Sequence, residues 1–175
     1  MNKEKYNNLL QYDLDQYLID ACIDSDFELV KYLLTSNELS IHADINTLCH
    51  GENGQPLRTA FCYKNFELAN YLLTSPELKE HADIHVASDD IFRSAFYRKQ
   101  IDVLTCLIFD YDIKRTKNID FILSPSNNHN HIEMKKLVEK MFTTRSLNKE
   151  LNKELNNELD KKMTISENKH KERKI

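Results

Sequence analysis

Glycine and proline are almost missing from this chain, with two and three residues among 175. An all-β fold draws on those residues for its many tight turns, and a phosphate cradle needs a run of glycines. Both are disfavoured, and a mostly helical chain is the expectation. Long apolar runs are missing too. No stretch approaches the roughly 18 apolar residues of a membrane span, and Met1 to Asn8 are polar where a signal peptide would be apolar. The expectation is a cytoplasmic chain with no membrane span. Cysteine pairs are also lacking. Cys22, Cys49, Cys62 and Cys106 are scattered with no Cys-x-x-Cys, and three fall in helical patterns, which fits reduced thiols better than disulfides.

Signatures of chemistry are absent as well. The chain has no Gly-x-Ser-x-Gly elbow, His-Glu-x-x-His helix, Walker loop or dinucleotide fingerprint. Its carboxylate pairs, Asp24-x-Asp26, Asp89-Asp90 and Asp110-x-Asp112, fall in expected turns, where solvated acids are commoner than catalytic dyads. Cys49-His50 and His129-x-His131 have no second half at ligand spacing, so no metal is expected. No catalytic residue, cofactor or small-molecule substrate is assigned, and the expectation is a protein that is not an enzyme.

Charge is present but uneven. Residues 143–175 hold nine Lys/Arg against six Asp/Glu, a balance of +3, which leaves residues 1–142 with fifteen against twenty-two, −7. Phosphate binding needs a positive face, so an acidic body disfavours nucleic acid as a partner.

What the chain has in abundance is internal likeness. Residues 21–45 read ACIDSDFELVKYLLTSNELSIHADI and residues 60–84 read AFCYKNFELANYLLTSPELKEHADI, an offset of 39. A third copy, AFYRKQIDVLTCLI at 95–108, sits 35 residues beyond the second. A recurrence of 20 to 50 residues, of order one helix pair, marks stacked repeats. Each copy carries two apolar stripes at helical spacing, and Ala21, Ala60 and Ala95 recur where neighbouring helices would approach closely. Asp26 and Asn65 stand where a second helix needs an N-cap, and Ser25-x-x-Glu28 has the spacing of a capping box. His42 and His81 occupy matching positions, which points to an architectural role.

These residues resemble the ankyrin repeats. Pro56-Leu57-Arg58-Thr59-Ala60-Phe61 is similar to the family's first helix and Phe66-Glu67-Leu68-Ala69-Asn70-Tyr71-Leu72-Leu73 to its second. Ala43-Asp44-Ile45-Asn46 and Ala82-Asp83-Ile84-His85 are similar to its closing tetrad. The resemblance covers about residues 14–142. It implies an all-α, ankyrin-like helical-repeat solenoid of three to four helix hairpins with short finger loops, followed by a helical or disordered tail. The divisions are an N-terminal cap over 1–16, repeats over 17–46, 55–85 and 91–113, a degenerate capping repeat over 119–142, and a charged low-complexity tail over 143–175. Tyr6, Leu9, Leu10 and Leu14 would form the capping helix.

The departures carry expectations of their own. Ankyrin units run to about 33 residues; the first two copies add Asn37 to His42 and Pro76 to His81, each read as one extra helical turn because Ser75-Pro76-Glu77 looks like a helix start. The third copy lacks this insert, which is expected to explain much of the shortening from 39 to 35. The family's Gly-His between helices is replaced by Ser25-Asp26, Lys64-Asn65 and Lys99-Gln100, which predicts irregular hairpin turns. In the tail, Leu147, Leu151, Leu155 and Leu159 drift by about 40° per step around a helix, so a long coiled coil is disfavoured. A solvated helix fraying into disorder and a partner-binding or weakly self-associating helix stay open; the chain is read as a monomer.

The resemblance also implies a concave binding face made by the fingers and the exposed side of each first helix. Carried over by position, it assigns Ile23, Asp24, Cys62, Tyr63, Tyr97 and Arg98, with Arg58 and Arg93 at the former His position and His50 and Glu52 in a finger. Leu48, Asn53, Val86, Ser88 and Asp90 are further finger positions. Tyr63, Tyr97 and Arg98 are the favoured anchors, because such residues bury area while keeping a polar end. The expected function is a non-enzymatic protein–protein interaction module, adaptor or scaffold, whose protein partner the sequence does not identify. The alternative is a translocated effector or virus-encoded inhibitor that blocks a host protein's surface after secretion without a signal peptide.

Overall fold

The computed structural model describes residue 6 and residues 9–48, 56–124 and 131–172, with side chains as far as Met163. Among these are eight helices and no strand: α1 (Gln11–Asp24), α2 (Phe27–Thr35), α3 (Pro56–Cys62), α4 (Phe66–Thr74), α5 (Val86–Tyr97), α6 (Ile101–Thr105), α7 (Lys117–Ile122) and α8 (Ile132–Glu172). The chain is all-helical. α1 packs against α2 and α3, α3 against α4 and α5, and α5 against α6 and α7. Ala21, Ala60 and Ala95 are all buried on the first helix of each pair, where the absence of a long side chain lets backbones come close.

Three pairs turn in the same way. Ser25, Lys64 and Lys99 adopt left-handed φ of 57°, 58° and 56°. The next residue in each case donates its backbone N–H to the buried alanine's carbonyl: Asp26 to Ala21, Asn65 to Ala60 and Gln100 to Ala95, all at 2.9 Å. This is a Schellman ending, which satisfies carbonyls that a helix would otherwise leave without partners. The turns are therefore regular, against the expectation from the missing glycines. The hydrogen bonds outweigh a left-handed cost of about 1–2 kcal/mol per residue. Asp26 and Asn65 then cap the second helices as expected, accepting from Leu29 and Leu68 N–H at 3.0 Å. The capping residue of α2 is Asp26, with Ser25 spent on the left-handed turn, so the capping-box reading of Ser25 is corrected. Gln100, one methylene longer than asparagine, makes no side-chain cap on α6.

The inserts are not helical turns. Leu39 donates to the Ser36 carbonyl and Leu78 to that of Ser75, both at 3.2 Å, a single reverse turn that tucks each leucine into the core. His42 and His81 each place Nε2 at 2.9 Å from the carbonyl of Ser36 and Ser75. A carbonyl only accepts, so Nε2 carries the proton in both rings. The backbone N–H of Ala43 then returns to Leu33 and that of Ala82 to Leu72, closing equal loops; in the third copy Ile113 returns to Leu107 across a loop four residues shorter. Before that return, α6 runs into a π-helical turn at Cys106–Asp110, where Tyr111 N–H reaches the Cys106 carbonyl. The shortening of the offset from 39 to 35 has a different origin from the one expected. It lies in the connection after each tetrad, since Ile45 to Pro56 is four residues longer than Ile84 to Ile91.

Neighbouring pairs are tied by repeated polar contacts. Asn46 Oδ1 accepts from Asp83 N–H at 2.8 Å while its Nδ2 reaches the His81 carbonyl at 3.4 Å. One pair earlier, two residues of α1 make the same two bonds: Asp15 Oδ1 accepts from Asp44 N–H at 2.7 Å and Gln11 Nε2 donates to the His42 carbonyl at 2.8 Å.

At the N-terminal end, Tyr6 is buried edge-on against Tyr17, with ring centroids 5.2 Å apart. Position 16 lies inside α1, which runs unbroken from Gln11, and Leu10 is exposed. At the other end, Met134, Val138 and Phe142 of α8 are buried. The helix passes residue 143 unbroken, and Arg145 donates to the carbonyls of Ile113 at 2.7 Å and Ile108 at 3.2 Å, while Lys149 pairs with Asp112 at 2.5 Å. Beyond that point Leu151, Leu155, Leu159 and Met163 are exposed. Among the described residues no helix is long and apolar enough to cross a membrane.

Candidate functional site

Because the first helices lie side by side, residues far apart in sequence meet at their ends. An open groove of about 510 Å³ is lined by Ile23 from α1, Arg58, Thr59, Cys62 and Tyr63 from α3 and its turn, and Arg98 after α5. Five of the assigned positions thus converge on one surface. Ile23 and Tyr63 are exposed by 40% and 59%, enough to give a partner apolar area.

The groove has a fixed polar side. Arg58 is mostly buried and pairs its Nε with Asp90 at 2.7 Å. Arg93 approaches the same carboxylate at 3.7 Å and donates to the carbonyls of Ala87 and Ser88 at 3.1 and 3.3 Å. Those carbonyls belong to an unusual segment, since Ala87, Ser88 and Asp89 take left-handed φ of 49°, 59° and 62° at the start of α5. Three such residues in succession cost several kcal/mol by the same estimate of about 1–2 each, and side chains hold them in place. Asp89 is buried, contacts His85 Nδ1 at 2.5 Å and accepts from the Thr116 hydroxyl. Arg98 sits over Cys62, Nη1 to Sγ at 3.8 Å, and Cys62 Sγ lies 3.9 Å from the Ser94 hydroxyl.

The remaining assigned residues lie elsewhere. Asp24 ends α1 and is exposed but does not line the groove. Tyr97 is exposed by 43%, yet its ring packs edge-on against His131 at 5.4 Å, toward the start of α8. Arg93 is committed to backbone and to Asp90. Leu48 is exposed at the edge of a connection, and His50, Glu52 and Asn53 lie outside the described residues. Val86, Ser88 and Asp90 belong to the first turns of α5 rather than to a free finger tip.

One participant and one pairing escaped the sequence reading. Thr59 lines the groove one position before Ala60, in the register that Ser94 holds before Ala95, so the repeat offset could have found it. Asp90 as the partner of Arg58 carried no such signal, because their meeting depends on how α3 packs on α5. Among the described residues no group of three or more His, Cys, Asp and Glu is placed to hold a metal. Cys22, Cys62 and Cys106 are free thiols; burial pushes the Cys22 thiol up to about 12, and burial followed by the nearby Asp110 does the same to Cys106. Compared with models of known protein families, with curated proteins and with solved structures, the chain has no match.

Proposed function

We propose that this chain is a non-enzymatic protein-binding module, an ankyrin-like stack of helix pairs that grips a partner on the surface formed by the ends of its first helices. The observation that carries the reading is the groove itself. Ile23, Arg58, Cys62, Tyr63 and Arg98 come from three successive repeats and meet on one exposed face. The identical left-handed turns and the recurring ties through Asn46 and the Gln11–Asp15 pair support a stack in which each unit repeats its neighbour's geometry.

A rigid surface of this kind binds with little ordering of its own, so affinity depends on a few anchors in the middle of the contact. Tyr63 is the central anchor because it is the most exposed large hydrophobic side chain in the groove. The test compares proteins captured by the wild-type chain with those captured by Ile23→Ala plus Tyr63→Ala, after circular dichroism has established that both fold alike. Partners recovered by the wild type and lost by the double variant are the expected result. Identical partner sets would remove the groove from the binding surface.

A further inference from the structure

Five described arginines differ in one respect. Arg58 and Arg93 share Asp90, Arg115 pairs with Asp120 at 2.5 Å and Glu139 at 2.6 Å, and Arg145 pairs with Asp112 at 3.1 Å. Among the described residues Arg98 alone has no carboxylate. Its one hydrogen bond among the described residues goes from Nη1 to Cys62 Sγ at 3.8 Å, and sulfur is a weak acceptor. A guanidinium has five N–H donors in a planar fork that fits a carboxylate with two parallel bonds. Arg98 lines the groove and is exposed, with most of that fork uncommitted among the described residues.

The charge around it points the same way. Two arginines, Arg58 and Arg98, line the groove, and Asp90 balances Arg58, which leaves a local balance of +1 on a body whose balance is −7. Asp24, exposed beside Ile23, stands outside the groove lining. The charged residues that line the groove are both arginines, so the lining itself favours an anionic side chain. A lysine or arginine from a partner would meet unpaired guanidinium, whereas a carboxylate would complete it.

We propose that the groove recognises an acidic side chain on its partner protein, an aspartate or glutamate flanked by an apolar residue, with Arg98 receiving the carboxylate and Tyr63 and Ile23 covering the apolar flank. This rests on the binding reading above and adds the chemistry of the partner. Cys62 serves as the rest that holds Arg98 over the groove.

The experiment is selection of random displayed peptides on the full chain, followed by titration of a synthesised winner against variants. The expected result is an acidic residue beside an aromatic or aliphatic one in the recovered peptides, with affinity lowered about tenfold or more by Arg98→Gln. Arg98→Glu should turn the selection toward lysine and arginine. Arg98 is exposed, so these variants are expected to fold, which circular dichroism checks. Peptides that depend on Tyr63 but carry no acidic residue, or that bind Arg98→Gln as well as wild type, overturn the proposal and leave the binding reading standing. Winners that bind Ile23→Ala plus Tyr63→Ala undiminished overturn both.

Discussion

Replacing Lys99 by glycine should make this protein more stable. Lys99 holds φ at 56° in a turn whose backbone bonds, Lys99 N–H to Phe96 at 3.2 Å and Gln100 N–H to Ala95 at 2.9 Å, are indifferent to the side chain. A residue with a Cβ loses about 1–2 kcal/mol in this conformation. Glycine avoids that cost but brings a more flexible unfolded chain, worth about 0.5–1 kcal/mol in the other direction. The net gain is about 0.5–1 kcal/mol, a rise in Tm of roughly 1–4 °C for a chain of this size. Lys64 supplies an internal control. It has the same turn, but its Nζ pairs with Asp102 at 2.7 Å, and glycine would lose an exposed ion pair worth roughly 0–1 kcal/mol. Lys64→Gly should therefore gain less than Lys99→Gly. Urea unfolding followed by circular dichroism, with calorimetry for Tm, measures both. A fall in stability for Lys99→Gly at unchanged denaturant slope would refute the reasoning, because it would mean that the left-handed turn costs nothing to lysine.

Asn46→Ala removes the bonds to Asp83 N–H and the His81 carbonyl that tie the first pair to the second, and should lower unfolding free energy by about 1–2 kcal/mol, read as a lower urea midpoint. Asp112 is held below the usual carboxylate range by its hydrogen bond to Lys149 and by the charge of Arg145. A depressed folded pKa contributes stability above the unfolded value and loses it as pH falls through the folded one, so Asp112→Asn should flatten the acid side of the stability curve below about pH 4; equal acid slopes would count against the docking of α8 through this residue. Iodoacetamide at mildly alkaline pH should label Cys62 before Cys22, whose buried thiol titrates only near 12. Peptide mapping by mass spectrometry reads the order, and early labelling of Cys22 would contradict its burial.

Much of the local structure was legible because it depends on neighbours in sequence. The caps at Asp26 and Asn65, the buried alanines and the apolar stripes of α1 to α6 all follow from side chains acting within a turn or two of themselves. The shape of the inserts was not legible, because Ser-Asn-Glu and Ser-Pro-Glu are each compatible with either a helix start or a reverse turn. What favours the turn is the histidine six residues after each serine, reaching back to its carbonyl. The regular hairpin turns were hidden for a related reason. Glycine is the usual marker of a left-handed residue, but the Schellman bonds hold serine and lysine there as well.

By itself the sequence determined that the chain is helical, that its helices come in recurring pairs, and which positions end each first helix. Those properties are local or periodic, and a single chain displays them along its length. The packing of α1, α3 and α5 decided that Ile23, Arg58, Cys62, Tyr63 and Arg98 share a groove, that Tyr97 turns toward α8, and that Arg58 finds Asp90 while Arg98 finds only a thiol. A pairing between charges thirty or more residues apart has no signature in spacing, because it depends on the angle at which two helices meet.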